Sequence, residues 1–122
     1  MDRELVGTAD LGRLRVEVRR QGQSAVFAPA GELDHHTADL LSEPLDAAVD
    51  DGVSRLVIDC SELEFCDSTG LNVLLSARLR AESAGGGVHL AAMRPTVARV
   101  FEITGADAVF TVHATLDQAL QE

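Results

Sequence analysis

The stretch Cys66-Asp67-Ser68-Thr69-Gly70-Leu71-Asn72 joins a predicted strand to a predicted helix. Before it, Arg55-Leu56-Val57-Ile58-Asp59-Cys60 is an apolar, β-branched run of strand length. After it, leucines recur at helical spacing, at Leu71, Leu74, Leu75 and Leu79. Asp, Ser and Thr are favoured at helix N-termini because their side chains accept hydrogen bonds from the first-turn amides. The pattern therefore predicts a serine at a strand-to-helix corner, where the helix dipole favours a bound or attached phosphate.

The composition is that of an ordinary globular protein, with 122 residues, 46% hydrophobic and 25% charged. One domain with a substantial core is expected at this length. No apolar run approaches the roughly 18 to 20 residues of a membrane span, and the N-terminus lacks the pattern of a secretory signal. Two cysteines do not form a disulfide framework, and Cys60 is predicted to be a small core residue. We expect a cytoplasmic protein with no membrane partner.

The net charge of −10 is concentrated in one part of the chain. Between Glu32 and Asp67 there are eleven acidic residues and one basic residue, Arg55, whereas the rest of the chain is neutral. Two interpretations remain open: a solvated helix face that keeps the protein soluble, or an acidic surface that steers a basic partner. Nucleic acid is a poor partner under either interpretation, because its phosphates would be repelled and the chain has no Trp or Tyr for base stacking.

The first half of the chain predicts a hairpin and a helix. Residues 1–12 show no clear period and are expected to be loosely ordered, so the domain is placed at 13–122. Leu14, Val16 and Val18 alternate with charged residues that begin at Arg13, which predicts a half-buried strand with a charged outer face. Ser24–Ala30 predicts a second strand that forms a hairpin with it. Pro29 cannot donate to a neighbouring strand, so this second strand should weaken near its end or have an open side there.

Residues 38–50 predict a helix capped by Asp34 or Thr37 and closed by Asp51-Gly52. Pro44 lies inside this segment, so the helix either kinks there or begins near Ser42. Both alternatives remain open.

The second half alternates strands and helices. A glycine turn at 85–87 is followed by a strand at 88–93, a helix from Pro95 to Gly105, a short strand at 109–112 and a helix at 115–120. Since strands separated by helices need crossover connections, most of the sheet should be parallel. The order predicts an α/β fold with a mixed, mostly parallel five-strand sheet, an antiparallel edge hairpin and four helices.

Enzyme and metal sites find little support in the sequence. A serine hydrolase motif is absent around Ser68, and no pattern places His89 or His113 within its reach. His35 and His36 lack a third ligand at a diagnostic spacing. Asp59 could accept a phosphoryl group at a strand end, but the lysine that such chemistry usually uses is missing. Two interpretations of Ser68 remain: a helix cap, or an acceptor for a phosphoryl group transferred by another protein.

Two motifs carry a resemblance to a known family. The residues Gly31-Glu32-Leu33-Asp34-His35-His36-Thr37-Ala38 and Phe65-Cys66-Asp67-Ser68-Thr69-Gly70-Leu71, with Leu56-Val57-Ile58-Asp59 between them, closely resemble the STAS-domain anti-sigma factor antagonists. The resemblance extends from about residue 13 to 120. It implies the STAS fold and a non-enzymatic switch in bacterial gene control.

The resemblance also implies the parts of that switch. In the family, the unphosphorylated antagonist binds an anti-sigma factor that is also a serine kinase using ATP, and the sigma factor is freed. Phosphorylation, here at Ser68 with Thr69 as a secondary acceptor, releases the antagonist, and a serine phosphatase reverses the modification. No cofactor of the chain itself is implied, and a monomer is expected. Partner-binding residues are expected at Gly31, Glu32, Asp34, His35, His36, Asp67, Thr69, Gly70, Asn72 and Ser76.

The run Leu41-Ser42-Glu43-Pro44 departs from the family pattern and bears on which partner is bound. The alternative function is a STAS module that senses a small ligand or nucleotide within a larger sensor or transporter system.

Overall fold

The computed structural model describes residues 4–121 of the chain. In this range, one sheet is formed by the strands β1 (Glu4–Asp10), β2 (Leu14–Gln21), β3 (Ser24–Leu33), β4 (Arg55–Asp59), β5 (Leu63–Cys66), β6 (Gly87–Ala91) and β7 (Thr111–His113). The helices are α1 (Ala38–Asp50), α2 (Ser68–Ser83), α3 (Pro95–Thr104) and α4 (Leu116–Gln121), with a 3₁₀ turn at Ala106–Ala108. None of the helices between residues 4 and 121 is both long and apolar enough to span a bilayer.

The sheet is mixed, with the strand order β1-β2-β3-β4-β6-β7. The pairs β1–β2 and β2–β3 are antiparallel, and the pairs β3–β4, β4–β6 and β6–β7 are parallel. Strand β5 pairs in parallel with the end of β3, beyond the segment that β4 covers. The predicted α/β class, the mostly parallel sheet with an antiparallel edge and the four helices are confirmed.

Two strands were missing from the sequence prediction, which counted five. Residues 4–10 form β1 and pair with β2 along their length, so the expectation of a loosely ordered start is wrong there; residues 1–3 lie outside the described part. The pairing shifts register between Leu5 and Gly7, which breaks the two-residue alternation that identifies a strand. Strand β5 has only four residues, too few for a pattern, and only its last residue, Cys66, belongs to the corner predicted before α2.

Pro29 lies where strand β3 changes partners. On one side it is paired with Val16 of β2. On the other side, β4 pairs with β3 only as far as Phe27, and β5 begins to pair at Gly31. The open side predicted at Pro29 is confirmed, because the missing amide faces the gap between two successive partners.

The core lies mainly between the sheet and helices α1, α2 and α3. Phe27 from the sheet, Leu45 from α1, Leu74 from α2 and Phe101 from α3 are fully buried in it. A smaller cluster on the opposite face packs Ala119 of α4 against the sheet. Because one face of the sheet is covered by three helices, the corner that precedes α2 is held by a rigid scaffold.

Helix α1 runs without interruption from Ala38 to Asp50 and contains Pro44. The alternative start near Ser42 is therefore wrong. Thr37 occupies the N-cap position but makes no side-chain capping bond, because its hydroxyl bonds within the preceding loop. The predicted end at Asp51 and Gly52 is confirmed, with Gly52 at a φ of 86°.

The apolar face of α2 differs from the predicted leucine face. Leu71 and Leu74 are buried, Leu75 is half-buried, and Leu79 is 61% exposed. The core-facing positions after Leu74 are alanines, which let the helix approach the sheet closely: Ala77 and Ala81. Leu79 follows Ala77 by two residues, about 200° around the helix, so it points to solvent.

Candidate functional site

The corner between β5 and α2 is closed by Asp67, which occupies the N-cap position of α2. Its Oδ1 accepts a hydrogen bond from the amide of Gly70 at 2.9 Å. Because first-turn amides have no carbonyl partner within the helix, a capping aspartate stabilises a helix by about 1 kcal/mol. The predicted helix N-terminus is confirmed, and the aspartate is its cap.

Ser68 is the first residue of α2, and its side chain is exposed. Within residues 4–121, no hydrogen bond engages the Ser68 hydroxyl. Thr69 follows at the second helical position and is half-buried. The interpretation of Ser68 as a plain helix cap is therefore wrong, because the residue before it, Asp67, caps the helix.

The loop after β3 lies beside this corner and is bonded to it. Leu33 is paired with Cys66, and the amide of Asp67 donates to the carbonyl oxygen of Leu33 at 3.1 Å. Oδ2 of Asp67 accepts from the amide of His35 at 3.2 Å and lies 3.7 Å from Nδ1 of the same residue. The two family motifs, distant in sequence, therefore meet through the two carboxylate oxygens of one aspartate.

Asp34 is the buried carboxylate of this loop. Its Oδ1 accepts from the amide of His36 at 2.9 Å and of Thr37 at 3.2 Å. Its Oδ2 lies 2.8 Å from a guanidinium nitrogen of Arg13, in the turn between β1 and β2. Burial alone would raise the pKa of the Asp34 carboxyl. The amide of His36, the charge of Arg13 and the donors of Thr37 outweigh burial, so this pKa lies below its usual value.

Two glycines allow the elements of the site to approach each other. A Cβ at Gly70 would lie 2.7 Å from Cγ of Leu33 and 3.0 Å from Sγ of Cys66. A Cβ at Gly31 would lie 2.2 Å from the carbonyl oxygen of Arg13. Both positions therefore require glycine because of packing within the domain.

The structure brings the loop after β3 and the first turn of α2 together, whereas Asn72 and Ser76 lie one and two turns further along α2, and the predicted site residues differ in depth. The exposed ones form the accessible surface: Glu32, His35, His36, Ser68, Asn72 and Ser76. The half-buried ones lie at its margins: Gly31, Asp67 and Thr69. The buried ones, Asp34 and Gly70, shape this surface from below.

The other reactive side chains are a pair of histidines on the sheet and two free cysteines. Nδ1 of His89 and Nε2 of His113 are 3.1 Å apart, on strands β6 and β7. Burial, assisted by the charge of Asp67, raises the pKa of the Cys66 thiol to about 12, so the thiolate is disfavoured next to the corner. Cys60 is buried as predicted.

The paired histidines of the loop lie close together, with ring centroids 3.9 Å apart for His35 and His36. No group of three metal-ligating side chains occurs between residues 4 and 121.

Many of the acidic side chains in the 32–67 segment are paired with arginines from outside it. Arg80 of α2 binds both Asp46 and Asp50 of α1, the latter at 2.8 Å. Further pairs join acids of the segment to Arg13, Arg20 and Arg94. The negative charge is therefore less confined to this segment in the fold than along the sequence, while the net charge of the chain remains −10.

Three residues near the corner or on the exposed side of α2 have surroundings that the sequence did not predict. Arg13 was assigned to the outer face of a strand, but it binds the loop. Phe65 is 48% exposed and is the register partner of Glu32, two residues before the cap. Leu79 was assigned to the core. Leu79 lies about three helical turns from Ser68 on the same exposed side of α2. The surroundings of these residues depend on which distant segments pair or on which side of a helix faces the core. Neither has a local signal in a single sequence.

The fold and the corner define a small mixed α/β domain that presents an exposed serine at the start of its second helix. Comparison with known families matches residues 15–119 to the STAS domain. The chain belongs to the STAS domain family.

Solved structures and curated relatives agree with this assignment. The anti-sigma-F factor antagonist RsfB of Mycobacterium tuberculosis is 33% identical over 109 residues, which cover 88% of this chain and 87% of RsfB. The crystal structure of an anti-sigma factor antagonist from Mycobacterium paratuberculosis matches with a TM-score of 0.82 and 31% identity, covering 93% of this chain and 97% of that one. The anti-sigma factor antagonist SpoIIAA in its unphosphorylated form matches with a TM-score of 0.76 and 25% identity, covering 86% and 92%.

Proposed function

We propose that this chain is an anti-sigma factor antagonist that is switched by phosphorylation of Ser68. The unphosphorylated chain binds an anti-sigma factor that is also a serine kinase, and so frees a sigma factor. Transfer of the γ-phosphoryl group of ATP to the Ser68 oxygen ends this complex, and a serine phosphatase restores the binding form. The chain itself needs no cofactor and acts in the cytoplasm as a non-enzymatic monomer.

The observation that carries this proposal is the exposed and unengaged hydroxyl of Ser68 at the start of α2. The amides of Ser68 and Thr69 precede the first intrahelical hydrogen bond, and neither has a partner among residues 4–121. Helix N-termini with free amides accommodate phosphate oxygens. The domain therefore carries a phosphate at this position without unfolding.

Release follows from the charge that the phosphate adds. A phosphoserine has about −1.5 to −2 charges at neutral pH, and here it lies next to the carboxylate of Asp67. A partner packed on the corner would have to desolvate this charge and to face it at close range. Like charges and unpaired charges at an interface cost several kcal/mol, and every 1.4 kcal/mol weakens binding about tenfold.

The binding surface proposed here combines the loop at 31–36 with the Ser68 corner and the exposed side of α2. RsfB is a relative in sequence and SpoIIAA a relative in fold; both are named as antagonists of anti-sigma factors, and SpoIIAA has a form distinguished as unphosphorylated. These relatives support the kind of partner, and the exposed serine supports the mode of regulation.

The direct test is to incubate the full chain with its anti-sigma factor kinase and either ADP or ATP. We expect a stable complex with ADP, and with ATP we expect one phosphoryl group on Ser68 and a Kd at least about 100-fold weaker. Intact-mass measurement, peptide mapping and calorimetry would follow these changes. A phosphorylated chain that binds the kinase as tightly as the unmodified one would contradict the proposal.

Leu79 provides a prediction about the extent of the surface. Replacing Leu79 with alanine should weaken the complex with the kinase about tenfold or more, because an exposed leucine in line with Ser68 becomes an apolar contact when the partner binds. Ile103→Ala is the matched control, since Ile103 is an aliphatic residue of α3 that is 72% exposed. Equal affinity of the Leu79→Ala variant and the original chain would limit the surface to the loop and the first turn of α2.

A further inference from the structure

Arg13 reaches two carboxylates of the loop that follows β3. One guanidinium nitrogen lies 2.8 Å from Oδ2 of Asp34, and the other lies 3.2 Å from Oε1 of Glu32. The side chain of Asp34 is 9% exposed, whereas that of Glu32 is 49% exposed. Because a buried carboxylate has little water to stabilise its charge, Asp34 depends on this guanidinium more than Glu32 does.

The backbone of Arg13 is itself anchored. Its amide donates to the carbonyl oxygen of Leu11 at 2.9 Å, and its carbonyl oxygen accepts from the amide of Glu32 at 2.8 Å. The preceding amide, of Gly12, donates to Oδ1 of Asp10 at 2.6 Å. The guanidinium therefore extends from a hydrogen-bonded turn that is fixed to strand β3, and its position is set before any partner binds.

Three successive amides of the loop are held by carboxylates. Asp67 accepts from the amide of His35, and Asp34 accepts from the amides of His36 and Thr37. The first of these carboxylates belongs to the helix cap, and the second is oriented by Arg13. The exposed rings of His35 and His36 are thus presented on a backbone whose conformation depends on both carboxylates.

We propose that Arg13 is a positioning residue for the partner surface, which fixes the carboxylate of Asp34 so that the loop of residues 34–37 keeps its binding conformation. This role in partner recognition rests on the proposed function. The role in holding the loop does not, because it follows from contacts within the chain. Arg13 acts through Asp34 and needs no contact of its own with the kinase.

The test compares Arg13→Gln and Arg13→Lys with Arg15→Gln, a matched control. The side chain of Arg15, on β2, is 59% exposed, and its one ion pair between residues 4 and 121 is a long contact of 3.9 Å with Glu17. Amide hydrogen exchange at residues 36 and 37 should be about tenfold faster in Arg13→Gln and unchanged in Arg15→Gln. Lysine carries the charge but lacks the planar guanidinium whose two NH2 groups reach Glu32 and Asp34, so the exchange rates in Arg13→Lys should lie between those of Arg13→Gln and the original chain.

A second readout follows the titration of the Asp34 carboxyl by carbon-detected NMR. The charged neighbours of this group are Arg13 and Glu32, with His36 in the same loop and Asp67 beyond His35. Removing the guanidinium removes one cause of the lowered pKa, so the pKa of Asp34 should rise in Arg13→Gln. Unchanged exchange together with an unchanged titration would overturn the proposal.

Affinity for the kinase completes the test through a double-mutant cycle. Arg13→Gln should weaken binding about tenfold in the original chain but have little further effect in an Asp34→Asn background, because the two residues act as one unit. Additive effects would mean that Arg13 contacts the kinase directly, which overturns the positioning role. If the unaltered chain binds no anti-sigma factor kinase, the proposed function fails, and the exchange and titration data still decide whether Arg13 holds the loop.

Discussion

Replacing Ser68 with alanine is expected to trap the complex between this chain and its anti-sigma factor kinase. The variant lacks the oxygen that forms the new bond to phosphorus, so the principal acceptor is lost and Thr69, which is half-buried, should not replace it in the presence of ATP. Because no charge then develops at the start of α2, nothing drives the partners apart. The Kd measured with ATP should equal the Kd measured with ADP within about threefold, whereas the original chain should lose about 100-fold.

The Thr69→Ala variant is the matched control for this experiment. Thr69 is the next hydroxyl residue and is half-buried at the second position of α2. We expect Thr69→Ala to accept one phosphoryl group at Ser68 and to be released with ATP. Intact-mass measurement of both variants tests the assignment, which is refuted if Ser68→Ala is still phosphorylated and released.

Replacing Gly31 with alanine should strongly destabilise the fold. The residue has a φ of +111°, which L-residues adopt only with strain, and the new Cβ would lie 2.2 Å from the carbonyl oxygen of Arg13. To relieve this overlap, the turn must move away from β3, which breaks the hydrogen bond between the amide of Glu32 and Arg13. We expect a loss of about 3 to 5 kcal/mol in the free energy of unfolding, measured by urea denaturation.

The same substitution at Gly12 separates backbone strain from steric overlap as causes of this loss. It also has a positive φ, of +80°, but a Cβ added there would have no atom within 4 Å. Gly12→Ala should therefore cost only the backbone strain, about 1 to 2 kcal/mol. If Gly31→Ala and Gly12→Ala destabilise the chain equally, the close approach of the turn to β3 contributes nothing.

Much of the site was predictable because it depends on local patterns. An apolar run followed by Asp67 and a periodic segment identifies a capped helix after a strand, and the structure has that helix. Which face of the helix is buried was less well predicted. The leucines at 71, 74, 75 and 79 have the spacing of a helical face, and so do the residues that are actually buried. The true face uses alanines at 77 and 81, which have no distinctive signal until the sheet beneath them is known.

Local sequence patterns are enough to predict the four helices, five of the seven strands formed by residues 4–121, the strand-to-helix corner and the serine that lies on it. Those features follow from the spacing of neighbouring residues, which fixes the local backbone and the capping of its ends. Only the tertiary structure decided that Asp67 engages both α2 and the loop after β3, that Ser68 is left without a hydrogen bond, and that residues 4–10 join the sheet. These depend on strand register and on contacts between distant residues such as Arg13 and Asp34, and no local pattern encodes which distant partners will meet.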